Sequence, residues 1–83
     1  MQFPRVHLNG TSKLDLLNQQ LEMLAALRLA ANVMAQHAPH GRDYYVIGSE
    51  ATSVAFSEHM ARRAALDGII QDIEHIAQAI DSQ

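Results

Sequence analysis

The stretch HAPHGRDYYVIGS, His37 to Ser49, separates two long runs of helical period. On either side the chain is rich in Ala, Leu and Ile, with apolar residues recurring every three or four positions. Pro39, Gly41 and Gly48 interrupt that pattern. Two antiparallel helices need only about two to eight residues to reverse direction. The connection 38–49 is longer than that, and it holds both tyrosines of the chain, Arg42, Asp43 and His40. The expected fold is all-α: a long two-helix antiparallel hairpin with an N-terminal extended arm, assembling into a homo-oligomeric helical bundle. The expected boundaries are an arm at 1–11, a helix at 12–37, a loop at 38–49 and a helix at 50–81, forming one domain over 1–83.

Working outward towards the N-terminus, Ala38-Pro39 ends the first helix, because the residue before proline avoids the α region. Within the helix Leu14, Leu17, Leu21, Leu24 and Ala31 form one stripe, and Leu16, Met23, Leu27, Ala30 and Met34 a second beside it. Leu29 falls near the wet face marked by Asp15, Asn18, Glu22, Asn32 and Gln36. That apolar arc is wider than one partner helix covers, which implies more than two helices in the core. Ser12 with Asp15 three residues later fits an N-terminal cap. Asn9-Gly10 is a turn signal, and Pro4 keeps residues 1–10 an arm. Lys13 sits at the positive end of the helix macrodipole, unfavourable for the helix but suited to an anion site with the free N–H groups there.

In the other direction, Ser49 is the expected N-cap of the second helix, with Glu50 in its first turn. Leu66, Ile69, Ile73, Ile76 and Ile80 step by three and four, the heptad spacing of a packed seam. The same seam continued towards the loop reads Arg62, His59, Ala55, Thr52, so two cationic side chains would point where the core should be. Neither should be buried without a partner.

Composition narrows the functional classes. Eighty-three residues without a cysteine can form neither a disulfide nor a thiolate metal site. So short a chain is marginal alone, and oligomerisation is the remaining route to stability. The formal charge of −3 opposes nucleic-acid binding, and the helices are too long for a helix-turn-helix. No signal peptide and no apolar run of membrane-spanning length is present, which makes a cytoplasmic location the simplest expectation.

In an antiparallel hairpin the end of the first helix lies beside the start of the second. His37, His40, Arg42, Asp43, Tyr44, Tyr45, His59 and Arg62 can therefore gather at one end of the molecule. Arginines and histidines donate to phosphate or carboxylate, arginine bidentately. The tyrosines offer flat faces for a base, and Asp43 can accept from an amine or a ribose hydroxyl, or simply hold Arg42. The competing reading is structural: Arg42 and Asp43 form a loop ion pair, the tyrosines plug the bundle end, and the histidines are solvated. A helix over 12–37 is roughly 39 Å long, so Asn9, Gly10, Thr11 and Lys13 sit far from their own loop. In an antiparallel dimer they would lie near the partner's loop and could complete its pocket. Pro39 and Gly41 break any rigid metal-ligand spacing, so no metal is expected. No nucleophile elbow, paired carboxylates, P-loop or GxGxxG is present, so neither an enzyme nor a cofactor is expected.

The order VHLNGTS, long helix, HGRDYY, second long helix resembles small proteins encoded by phages and prophages. In size, helical-hairpin form and site chemistry the chain is similar to phage sponge proteins that counter CBASS and Thoeris immunity. That resemblance implies a small oligomer in the host cytoplasm that sequesters a cyclic nucleotide or ADP-ribose-type signal at subunit interfaces without cleaving it. It carries over no binding residue. The expected function is a non-catalytic oligomeric binder of a phosphate-bearing small molecule. The alternative is a helical protein–protein interaction module, either an inhibitor or adaptor or a minor virion component.

Overall fold

Ser12 opens the first helix by accepting the Asp15 backbone N–H on its side-chain oxygen at 3.1 Å. In a computed structural model covering residues 1–83, the chain forms α1 over Lys13–Gln36, a single 3-10 turn over Gly41–Asp43, and α2 over Ala51–Asp81. The two helices lie antiparallel in a rod with extents of 62 × 20 × 16 Å. Residues 1–7 form no regular element and lie along the far end of the hairpin. No helix is long and apolar enough to cross a membrane.

The interhelical seam on α1 is Lys13, Leu17, Gln20, Leu24, Leu27, Ala31 and Met34, all buried or half-buried. On α2 it is Thr52, Ala55, His59, Arg63, Leu66, Ile70, Ile73, Ala77 and Ile80. The second differs from the seam expected from the sequence. Ile70 is buried where Ile69 was expected, and Ile69 is 51% exposed. Arg62 does not enter the seam either: it stands on the surface with Glu58 at 3.9 Å. The one-residue rotation has a plain cause. Leu66, Ile69, Ile70, Ile73, Ile76 and Ile80 satisfy two overlapping heptad registers, and the one facing α1 keeps the Arg62 guanidinium in water.

Both ends of the hairpin are tied. At the far end the Lys13 ammonium donates to the backbone oxygens of Asp81 at 2.9 Å and Gln83 at 3.0 Å. A cation that is misplaced on its own helix thereby meets the negative end of α2. The Gln83 side chain behaves like a strand rung: its amide donates to Pro4 O at 2.7 Å and its oxygen accepts from Val6 N–H at 2.7 Å. Ile80, beside this clasp, is fully buried. Midway, Arg28 and Glu74 bridge the helices at 3.1 Å, an exposed pair that contributes less than about 1 kcal/mol but marks the register. Ser49 does not cap α2. Glu50 holds that position in helical conformation without a side-chain cap, because the turn through Gly48 already bonds Ala51 N–H and leads straight into the helix.

Only Gln20, Leu24, Ile70 and Ile80 are buried in the single chain. Gln20 is the polar one, and its side-chain oxygen has no hydrogen-bond partner. An unpaired buried amide costs stability that an apolar residue of similar size would not. Gln20→Leu should raise the free energy of unfolding by about 1 kcal/mol or more, read by urea denaturation at matched protein concentration.

Candidate functional site

Helix α1 stops at Gln36 because Pro39 cannot continue it, and this leaves carbonyls of the last turn without helical donors. Met34 O, one of them, accepts from His37 N–H at 3.2 Å and lies 2.9 Å from His59 Nε2 on α2. A carbonyl only accepts, so Nε2 carries the proton of that ring. His59 thus joins the two helices where the chain leaves α1. His40 organises the next step: its Nδ1 accepts the Arg42 backbone N–H at 3.1 Å and caps the 3-10 turn. Asp43, Tyr44 and Tyr45 N–H groups then close back on His40 and Gly41 carbonyls.

These bonds fold the connection over the start of α2 and leave a cavity of about 650 Å³, open to solvent. Of the residues expected here, His37, His40, Arg42, Asp43, Tyr44, His59 and Arg62 line it together. Tyr45 does not. It is 72% exposed, because the turn that turns Tyr44 inward directs the next side chain out. Ala38 and Pro39 of the connection complete the wall with Gln36, Ala55 and Glu58, none of them a site residue expected from the sequence. Glu58 was findable: it stands four residues before Arg62, so whatever face presents Arg62 presents Glu58 as well.

The two arginines are loosely held. Arg42 Nε lies 3.9 Å from Asp43, and Arg62 lies 3.9 Å from Glu58; all four side chains are well exposed. Neither guanidinium is committed to a bidentate pair, so both can reorient towards an incoming anion. His59 and His40 each have one ring nitrogen engaged, whereas no hydrogen bond engages the His37 ring. No group of three or more histidines, aspartates and glutamates is placed to share a metal ion.

Asn9, Gly10, Thr11 and Lys13 lie at the opposite end of the rod, beside the end of α2. Lys13 is engaged with the α2 carbonyls, and Gly10 packs so closely on His7 that a Cβ there would come within 2.7 Å of the ring. Lys13 belongs to the clasp between helix ends, and none of the four lines this cavity of its own chain. No protein-family model, curated protein or solved structure matches the chain.

Replacing His59 by Leu removes the ring bond to Met34 O while keeping an apolar side chain in place. The expected cost is about 1 kcal/mol of unfolding free energy. Faster amide exchange at Gly41–Tyr45 should accompany it, read by hydrogen–deuterium exchange.

Proposed function

We propose that the protein is a non-catalytic homo-oligomer that binds a phosphate-bearing small molecule in the loop-end cavity. The observation that carries this reading is the pair of loosely held guanidiniums, Arg42 and Arg62, on the wall of one cavity with the Tyr44 ring. Two arginines match two phosphate groups, or one phosphate approached from two sides, and an aromatic ring beside them suits a base or ribose. Asp43 and Glu58 stand ready to accept from amine or hydroxyl hydrogens of the same ligand. The cavity is open, which suits capture more than chemistry that needs water excluded. A nucleotide signal of cyclic or ADP-ribose type fits this inventory, and sequestering one would make the protein a sponge of the kind it resembles, encoded by a phage against its host's immunity.

A second reading is favoured by the loop tip. Tyr45, Val46 and Ile47 are three consecutive, largely exposed apolar residues next to the cavity. Such a run is unusual on a surface that touches nothing. It supports a helical interaction module whose loop docks on another protein.

Native mass spectrometry of the protein purified from cells, followed by calorimetric titration with cyclic dinucleotides and ADP-ribose, tests the first reading. An oligomer should retain or acquire a ligand of a few hundred daltons and release it unchanged after long incubation. Arg42→Ala and Arg62→Ala should each weaken binding by roughly tenfold or more, the loss of a charge-assisted bond. Undiminished binding of every phosphate compound by both variants would remove the cavity from consideration. Capture of a host protein that is lost on Val46→Asp, with no nucleotide bound, would favour the second reading.

A further inference from the structure

The hairpin has two flat sides, and they differ. At 3.6 residues per turn, the Arg28–Glu74 bridge and the shallow groove lined by Leu17, Leu21, Gln78 and Asp81 fix one side. The opposite side carries Leu16 and Met23 from α1, beside the seam, with the seam residues Leu27 and Met34 along its inner edge. From α2 it carries Leu66, Ile69, Ile73 and Ile76. Between Leu16 and Met34, and between Leu66 and Ile76, the only charged residues on this side are Asp72 and Glu22, both at its outer margins, Glu22 in a shallow groove with Met23. The bridged side exposes Leu14 and Leu21, but Arg28, Asp67, Glu74 and Asp81 interrupt it.

The single chain exposes 6135 Å². A compact folded monomer of this mass exposes about 4,900 Å². The surplus, on the order of 1,200 Å², exceeds the ~800 Å² that each partner contributes to a standard stable interface. The radius of gyration of 18.5 Å likewise far exceeds the ~12 Å of a compact chain of this length.

We propose that the apolar side, centred on Met23 and Leu27 of α1 and Ile69 and Ile76 of α2, is where a second copy of this chain docks. The occupant is argued from the shape and chemistry of the face. It is two helices wide, so a single docking helix would leave one of its rows in water. Its centre, away from those margins, offers no charge for a different protein to complement. A second hairpin presents the same two apolar rows, and a two-fold axis brings each row against its equivalent or its neighbour. The product is a four-helix bundle whose core includes the residues that the hairpin alone leaves half-exposed. At the loop end the same side runs into Glu58 and Arg62, so the docked copy borders the cavity. The face rests on the homo-oligomer of the proposed function, but not on what the cavity binds.

Sedimentation of the full chain over a range of micromolar concentrations tests it. The parent should run at twice 9.2 kDa or a higher multiple. Met23→Glu and Ile69→Glu should shift the mass towards that of a single chain, and Leu21→Glu on the bridged side should not. A parent that stays at the single-chain mass overturns both the face and the oligomer, and leaves the side to a foreign partner. An oligomer broken by Leu21→Glu but not by Ile69→Glu overturns the face alone. Because the chain has no cysteine, one introduced by substitution is its sole thiol and reports burial at that position alone. Met23→Cys should react with a thiol reagent several-fold more slowly than Leu21→Cys in the assembled protein, and equal rates would also overturn the face.

Discussion

Two antiparallel helices touch along a line, and a line buries little. Leu24 at 3% exposure and Ile80 at zero are about as deep as this chain goes by itself. A helix carries usable surface around its whole circumference, and one neighbour takes up only an arc of it. The wide apolar arcs of α1 and α2 therefore cannot both be satisfied by each other. Every other feature of the molecule stems from that shortage of interior: the ties at the two ends, the exposed isoleucines and leucines, and the placing of charge.

Where packing is thin, the hairpin is held by polar bonds at helix ends. Each helix end has backbone groups without helical partners, and these serve to join the two helices. Lys13 closes the end of α2, and the Gln83 amide draws the arm across it. His59 reaches the last turn of α1 from the other helix. Both ties involve side chains that look anomalous in an apolar pattern, a lysine at a positive helix end and a histidine in a seam. Each is explained by the antiparallel neighbour, whose end presents carbonyls at that height.

The same geometry decides how much was legible in the sequence. The hairpin and its loop followed from Pro39, the glycines and the two helical periods, all local signals. The gathering of Arg42, Asp43, Tyr44, His37, His40, His59 and Arg62 followed from topology, because any antiparallel hairpin brings those segments together. The register was harder. Ile69 and Ile70 are both isoleucine, and two heptad frames fit α2 almost equally well; only the choice of neighbour separates them. The frame read from the sequence, through Ile69 and Ile76, describes the apolar side, and the frame through Ile70 and Ala77 describes the intramolecular seam. Tyr45 was misplaced because the side chains of Tyr44 and Tyr45 diverge in the turn that follows the 3-10 segment, and no pattern foretold which tyrosine would face inward. Ser49 failed as a cap because a preceding turn already supplied the geometry that a cap provides. Gln20 gave no warning at all: glutamine is ordinary on a helix surface, and its burial depends on the register.

The exposed arginines and the apolar side lie at different heights along the rod. A guanidinium in the middle of the apolar side would have to be desolvated whenever that side is covered, at a cost of several kcal/mol without a partner. At the loop end the Arg42 and Arg62 guanidiniums already stand in water, with side chains 75% and 66% exposed. The connection can hold Arg42 and Arg62 near carboxylates yet leave them wet, 3.9 Å from their nearest acids and free to turn. An anion site and a dry interface, the two surfaces proposed above, would make opposite demands on the same residues, and a long hairpin allows both to be kept apart by distance. The long loop builds a concave wall from hydrogen bonds of its own, Arg42 N–H to the His40 ring and Tyr45 N–H to Gly41 O, where the helices offer none. That added length exposes Tyr45, Val46 and Ile47, which places the apolar tip beside the charged cavity rather than on the helical face.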